Sequence, residues 1–161
     1  MILNLESRRL LFTPTTPFVQ PLGDGLVLKT IGNAADIERL AAFNSAIRAG
    51  WVAPVAPLTR NLIWQHPYTR PEHWPFIEDE ATGKIVSALC LIPWKWHYDG
   101  VELLAGEMNI VGTLPEYRQR GLIRALDRYF KSLLVSGEYD LSHLQGIPYF
   151  YRQFGYEYAI R

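Results

Sequence analysis

Arg118, Arg120 and Arg124 crowd one short stretch, Ile110-Val-Gly-Thr-Leu-Pro-Glu-Tyr-Arg-Gln-Arg-Gly-Leu-Ile-Arg-Ala-Leu126. Beyond it Leu122, Ile123, Leu126, Tyr129, Phe130 and Leu133 recur at helical spacing, with Arg124, Asp127, Arg128 and Lys131 opposite. That pattern predicts a helix from about Gln119 to Ser136, ended by Gly137. The first turn of a helix exposes unpaired N–H groups and the positive end of its dipole, where acids are preferred. Here only Glu116 lies upstream, and each misplaced cation costs ~0.3–1 kcal/mol. The crowding is explained if an anion docks among the guanidinium groups and is received by the N–H groups of residues 119–123. Gly121, lacking Cβ, would let a phosphate come close to the backbone. The plain alternative is a solvated basic helix start. The strand before it, the stop at Pro115 and Gly121 favour the anion site.

The order strand, Leu114-Pro-Glu-Tyr-Arg-Gln-Arg-Gly-Leu122, helix resembles the acyl-CoA signature of the GNAT family of N-acetyltransferases. Arg118-x-x-Gly121 matches that family's Arg/Gln-x-x-Gly-x-Gly/Ala pattern. Downstream, Pro148-Tyr-Phe-Tyr-Arg-Gln-Phe-Gly-Tyr156 is similar to its Phe-Tyr-x-x-x-Gly-Phe segment. The two matches cover residues 106–160, and the strand order extends the resemblance loosely back to residue 26. Ile123 departs from the usual Gly or Ala, yet Gly121-Leu-Ile-Arg124 is similar to the Gly-Leu-Leu-Arg of the enhanced-intracellular-survival branch. The asparagine often found after the fifth strand is missing, with Leu144 and Gln145 in that region.

The resemblance implies an α+β fold, a mixed and mostly antiparallel sheet flanked by helices; the family usually ends in a hairpin after its last short helix, and here only one strand is read there, so the final strand is expected to be missing. A neighbouring copy would complete the sheet, or a further C-terminal domain of a longer chain, as members of that branch carry. It implies acetyl-CoA as acyl donor, no metal, and a primary amine of a small molecule or peptide as acceptor. Val111 and Thr113 would pair through their backbone with the pantetheine arm, as an added strand does. Arg118, Gln119, Arg120, Gly121, Leu122 and Ile123 would surround the diphosphate. The competing readings are a non-catalytic acyl-CoA sensor or scaffold with the same fold, and an anion site serving another phosphorylated ligand.

Direct acetyl transfer has its own demands. An alkylamine with pKa ≈ 10.4 holds its reactive neutral form roughly 4.6 kcal/mol uphill near pH 7. A base or water chain is therefore useful. Glu107 shares strand parity with Asn109, Val111 and Thr113, and its spacing from Val111 is similar to that of the family's glutamate base. It is either that base or an ordinary strand glutamate facing water. Resemblance gives the proton donor for the departing thiolate as Tyr151, four residues before Gly155, with Tyr149 and Tyr156 behind it. The alternative is a packing tyrosine beside Phe150 and Phe154. Gly112 signals either a bulge that splays the strand or a simple kink.

The elements that must position these groups are legible in outline. Residues 1–25 read as an extended arm, rich in proline and glycine over 13–25, and residues 26–161 as one domain. Leu26–Ile31 reads as a strand, and Asn33 caps a helix over 34–49 stopped by Gly50. A short helix follows near Thr59–His66, then a strand over Trp74–Glu78. A long strand from Ile85 to Tyr98 carries Pro93, implying a bulge or an edge. Asp99-Gly100 turns it into a strand from Val101 to Thr113. Leu141–Gln145 reads as a strand, Pro148–Gln153 as a short helix and Tyr156–Ile160 as a last strand. The aromatics Trp94, Trp96, Tyr98, Trp64, Tyr68 and Trp74 read as core in preference to an amine-binding wall, and Glu78-Asp79-Glu80 as a solvated turn.

Composition sets the bounds. The chain has 161 residues, 48% of them apolar, enough for one core and too apolar for a disordered chain. Sixteen Lys+Arg balance sixteen Asp+Glu, which argues against a nucleic-acid coat. Cys90 has no partner for a disulfide, and the histidines at 66, 73, 97 and 143 have no metal spacing. The apolar run Ile85–Trp94 is about half of the ~20 residues that span a bilayer, so no membrane is expected and the cytoplasm is the default.

Overall fold

The computed structural model describes residues 16–50 and 54–159. Six strands form one sheet in chain order: β1 (Val19–Gly23), β2 (Leu26–Lys29), β3 (Phe76–Asp79), β4 (Lys84–Tyr98), β5 (Val101–Thr113) and β6 (Leu141–His143). Each neighbouring pair is antiparallel except β5 and β6, which run parallel. The crossover between those two is a helix, as parallel pairing requires. The fold is thus the expected mixed α+β sheet.

Two helices cover one face, α1 (Ala34–Ile47) and α2 (Val55–Gln65). Asn33 caps α1 by accepting from the Asp36 N–H at 3.1 Å. Ile37, Leu40 and Phe43 of α1 and Ile63 of α2 pack on Ala88, Cys90 and Ile92 of β4. Helix α2 starts four residues earlier than the sequence suggested, because Pro54 and Pro57 sit where a helix start has no use for an N–H. The other face is covered by α3 (Leu122–Ser136), whose Leu122, Leu126 and Phe130 pack on Leu89, Leu91 and Met108.

Several expectations are corrected. Val19–Gly23 is an edge strand rather than part of a free arm, because positive-φ Asp24 and Gly25 turn the chain back onto it. The arm's residues 1–15 lie outside the described residues. Residues 156–159 form no strand, and Tyr156 is held instead by its hydroxyl on Ser142 Oγ at 2.7 Å. Arg161 and Ile160 fall outside the described residues. Glu78 and Asp79 are not a solvated turn. Glu78 is buried in β3 with Lys29 Nζ at 2.5 Å and the Arg39 guanidinium on its other oxygen. Burial raises its pKa, but those two cations outweigh it and hold the carboxyl below the usual range.

Pro93 is an edge position, not a bulge. β3 pairs with β4 only over residues 84–88, so at Pro93 the strand has β5 alone beside it. The same early end of β3 leaves the far end of the β4–β5 hairpin projecting. Trp94 and Trp96 are each 39% exposed and Tyr98 75%, whereas Trp74 is 1% exposed. Only Trp74 of that aromatic set is core.

Candidate active site

The site begins with a bulge. Ala88 pairs with Gly112 and Cys90 with Asn109, so the single β4 residue Leu89 opposes both Ile110 and Val111 of β5. Ile110 takes a positive φ of 46° to make room. The bulge falls two residues before Gly112. Gly112 itself serves a close approach, since a Cβ there would stand 1.9 Å from Ile47 Cδ1 of α1.

The extra residue breaks the parity that the sequence implied. Glu107 and Asn109 stay on the α1/α2 face, joined by Asn109 Nδ2 to Glu107 Oε1 at 2.7 Å. Ile110 enters the core on that face, while Val111 packs against the α3 core on the other. Glu107 therefore does not share a face with Val111 and Thr113.

After β5, Pro115–Tyr117 makes a single 3-10 turn, and the Tyr117 hydroxyl donates to Asp79 Oδ2 at 2.5 Å. Gln119 and Gly121 are both left-handed, with φ 63° and 74°, so α3 starts at Leu122 rather than at Gln119. Its first turn holds no acid and receives no side-chain cap. Among the described residues no side chain caps these first N–H groups, which are thus open to an acceptor.

These N–H groups border a cavity of about 690 Å³ between the end of β5, the start of α3 and the 3-10 helix Phe150–Phe154. Val111, Thr113, Arg118, Gln119, Gly121, Leu122 and Ile123 line it. Tyr151 lines it from the opposite wall. Arg124 joins them, its Nη2 donating to Gln153 Oε1 at 3.0 Å, which ties the two walls together. Arg120 is not brought in. Its guanidinium lies 4.9 Å over the Tyr117 ring and reaches the Glu116 carbonyl, outside the lining. An uncapped helix start with two lining arginines and a Cβ-free residue fits a diphosphate in charge and in room.

Tyr151 is part-buried, with its ring packed on Phe150, Phe154 and Tyr156. Burial raises its phenol pKa, and the Arg48 guanidinium opposes that rise. Tyr156 is pushed up to about 12 by burial, against the hydrogen bond from Ser142. Arg48 follows α1 and donates from Nη2 to the Val111 carbonyl at 3.1 Å. No motif marks Arg48, which the sequence placed in the last turn of a helix over 34–49 and which is in fact the residue that ends α1.

Glu107 does not line the cavity. Its Oε2 accepts from Trp94 Nε1 at 2.7 Å, so Trp94 and Asn109 together fix the carboxylate. His66 stands 5.3 Å from Trp94, and His143 stacks 4.6 Å from Trp96. Burial lowers both imidazole pKa values, and the charge of Glu107 opposes that fall. Cys90 is fully buried, and that burial pushes its thiol well above the ordinary range. Among the described residues no group of three His, Cys, Asp or Glu could hold a metal ion, and no helix is long and apolar enough to cross a membrane.

Comparison with known proteins follows the same lines. No protein of curated function matches the chain significantly in sequence. A solved Enterococcus faecalis protein, described as a probable N-acyltransferase, is 21% identical, with TM-score 0.68 over 82% of this chain and 32% of its own. Eis1 of Mycobacterium abscessus is 19% identical, with TM-score 0.62 over 81% of this chain and 31% of its own. The present chain thus spans about a third of the length of each. The enzyme AAC(6')-Iy, solved with the bisubstrate analogue CoA-S-monomethyl-acetylneamine, is 14% identical, with TM-score 0.63 over 84% of this chain and 93% of its own. Such identities speak for the fold. The model of the acetyltransferase (GNAT) domain matches residues 34–159, most of the chain, and on that ground the chain belongs to the GNAT acetyltransferase family.

Proposed function

We propose that this chain is an acetyl-CoA-dependent N-acetyltransferase domain that acetylates a primary amine of a small molecule or peptide by direct attack. The observation that carries the reading is the uncapped, acid-free start of α3, which faces Tyr151 across a cavity of about 690 Å³. Acetyl-CoA would supply an activated acyl carbonyl. Arg118, Arg124 and the N–H groups at the start of α3 hold the diphosphate. The backbone of Val111, out of register with β4 at the bulge, and of Thr113 orients the pantetheine arm. Tyr151 donates its hydroxyl proton to the departing sulfur, and Glu107 receives the amine's proton directly or through water. Gly121-Leu-Ile-Arg124 and the length relation to Eis1 support the enhanced-intracellular-survival branch, within a longer polypeptide or a homo-oligomer. A single buried cysteine supports a reducing cytoplasm.

A specific observation favours a second reading. Glu107 lies off the cavity with both oxygens already accepting hydrogen bonds, as suits a non-catalytic acyl-CoA sensor or scaffold. Thiol release from acetyl-CoA, measured against a panel of primary amines, separates the two. The enzyme reading expects release with at least one amine and a tenfold or greater loss of kcat in Tyr151→Phe at unchanged acetyl-CoA affinity. Tight binding without release for any amine overturns it in favour of the sensor.

A further inference from the structure

The register of the β4–β5 hairpin sorts its side chains onto two faces. Residues paired across the strands share a face, and Ile92, which packs in the core under α1 and α2, pairs with Glu107. On that face Trp94, Trp96 and Tyr98 of β4 lie beside Ala105, Leu103 and Val101 of β5. Lys95, His97 and Glu102 fall on the other face, where Glu102 pairs with Lys95 at 3.0 Å and with His97 at 3.8 Å. Between Ile92 and Glu107 the α1/α2 face of the hairpin therefore carries one charge, Glu107, at the inner end of an apolar surface whose Trp94, Trp96, Tyr98 and Val101 are exposed.

Aromatic rings flank that carboxylate. Trp94 donates to it, and His66, at the end of α2, stands edge-on to Trp94 at 5.3 Å. Tyr68 lies 6.1 Å from His66 in turn. From the other side His143 of β6 is the register partner of Glu107, and its ring lies 4.6 Å from Trp96. Each carboxylate oxygen accepts from one neutral donor, Trp94 Nε1 or Asn109 Nδ2, and keeps room for another. The ion pairs of the described residues include none to Glu107. Burial lowers the pKa of both imidazoles, so neither ring supplies a cation near neutral pH.

Glu107 also stands at a fork. β6 pairs with β5 from Ala105–Leu141 to Glu107–His143 and ends there, while β5 runs on to Thr113. Val111 and Thr113 of that further stretch, and Ile147 and Phe150 of the chain beyond β6, line the cavity. The aromatic face and the cavity thus meet where the two strands part.

We propose that this face is the acceptor subsite and that it takes an arylalkylamine: the ammonium seats on Glu107 at the fork, and the ring stacks among Trp94, Trp96 and His66. The assignment rests on the acetyltransferase reading for what becomes of the amine. An ammonium supplies the cation that Glu107 lacks, and both it and an aromatic ring gain from the faces and edges of neighbouring rings. A polyhydroxylated amine would bring its hydroxyls to a surface where the Trp94 indole N–H is already spent on Glu107. An acidic acceptor would meet the carboxylate with like charge.

Phenethylamine, propylamine and glucosamine, titrated into the wild-type chain with free CoA present, report binding apart from turnover. The indole N–H signals of Trp94 and Trp96 are followed by NMR, assigned with Trp94→Phe and Trp96→Phe. Phenethylamine is expected to shift both and to bind about tenfold or more tightly than the other two amines. Trp96→Ala should weaken that binding about tenfold and Trp96→Phe should restore most of it. In thiol-release assays Trp96→Ala should raise KM for phenethylamine about tenfold with little change in kcat. Binding at both indoles with no amine acetylated keeps the subsite and removes the enzyme reading. Acetylation of all three amines at similar KM, with Trp96→Ala like wild type, overturns the subsite and leaves the enzyme reading standing. No indole shift with phenethylamine also overturns it, and a sedimenting dimer that Trp96→Ala dissociates would then make the face an interface between copies of the chain.

Discussion

Replacing Gly121 by alanine separates backbone strain from ligand approach in one variant. Gly121 is the N-cap of α3 at φ 74°, in the left-handed region, and a Cβ built there meets nothing within 4 Å. No packing gain or clash enters, so the stability cost is that of a left-handed L-residue, roughly 1–2 kcal/mol. For a chain of this length each kcal/mol moves the melting temperature by about 2–4 °C, giving a fall of about 2–8 °C by scanning calorimetry. On the proposed reading the new methyl also stands where a phosphate would come close to the N–H groups of α3, since Gly121 lines the cavity. Acetyl-CoA affinity, measured by titration calorimetry, should weaken at least tenfold, about 1.4 kcal/mol. A lowered melting temperature with unchanged affinity would mean that the strain is real but the anion does not sit against Gly121. Unchanged values of both would refute the reasoning about this loop.

Other perturbations reach different parts of the account. His73 is buried and its pKa is lowered to about 4, burial acting first and Arg70 and His66 adding to it. The unfolded chain binds the proton near 6.5 and the folded one resists it, so stability should fall by roughly 3 kcal/mol between about pH 6.5 and 4. Urea denaturation across that window checks it, and His73→Gln should flatten the slope. The separate contribution of Glu78, whose carboxyl is held down by Lys29 and Arg39, is present above its usual pKa of 4.5 and fades only below it. Arg118→Gln combined with Arg124→Gln should weaken acetyl-CoA binding by about tenfold or more and flatten its dependence on salt, read by calorimetry at two ionic strengths. Gly112→Ala should destabilise the fold by about 1–3 kcal/mol in urea, because the added methyl overlaps Ile47.

The fold was legible where local chemistry and pattern agreed. Asn33 caps α1, positive-φ Asp99 and Gly100 close the long hairpin, and the apolar stripe from Leu122 to Leu133 is the buried face of α3. The acid-free start of α3 was legible for the same reason: Gly121 and the misplaced arginines break a rule that short-range physics enforces. What stayed hidden depends on distant partners. The parity of Glu107 with Val111 failed because a bulge falls at Ile110, opposite Leu89; Gly112 left bulge and kink equally open, and the pairing that decides between them is long-range. Trp94 and Trp96 read as core, yet their burial depends on where β3 stops. Tyr156 was read as a strand residue, although it is held by one side-chain bond to Ser142. Arg120 looked equivalent to Arg118, and its stacking on Tyr117 and contact with the Glu116 carbonyl turn it away.

The central claim is that the start of α3 grips the diphosphate of a coenzyme. It is tested most directly by comparing acetyl-CoA with acetyl-pantetheine, which shares the thioester arm and lacks the diphosphate, in calorimetric titrations of the wild-type chain. The account predicts that acetyl-CoA binds at least a hundredfold more tightly, about 2.7 kcal/mol, and that added salt narrows the gap. Equal affinities for the two would contradict it.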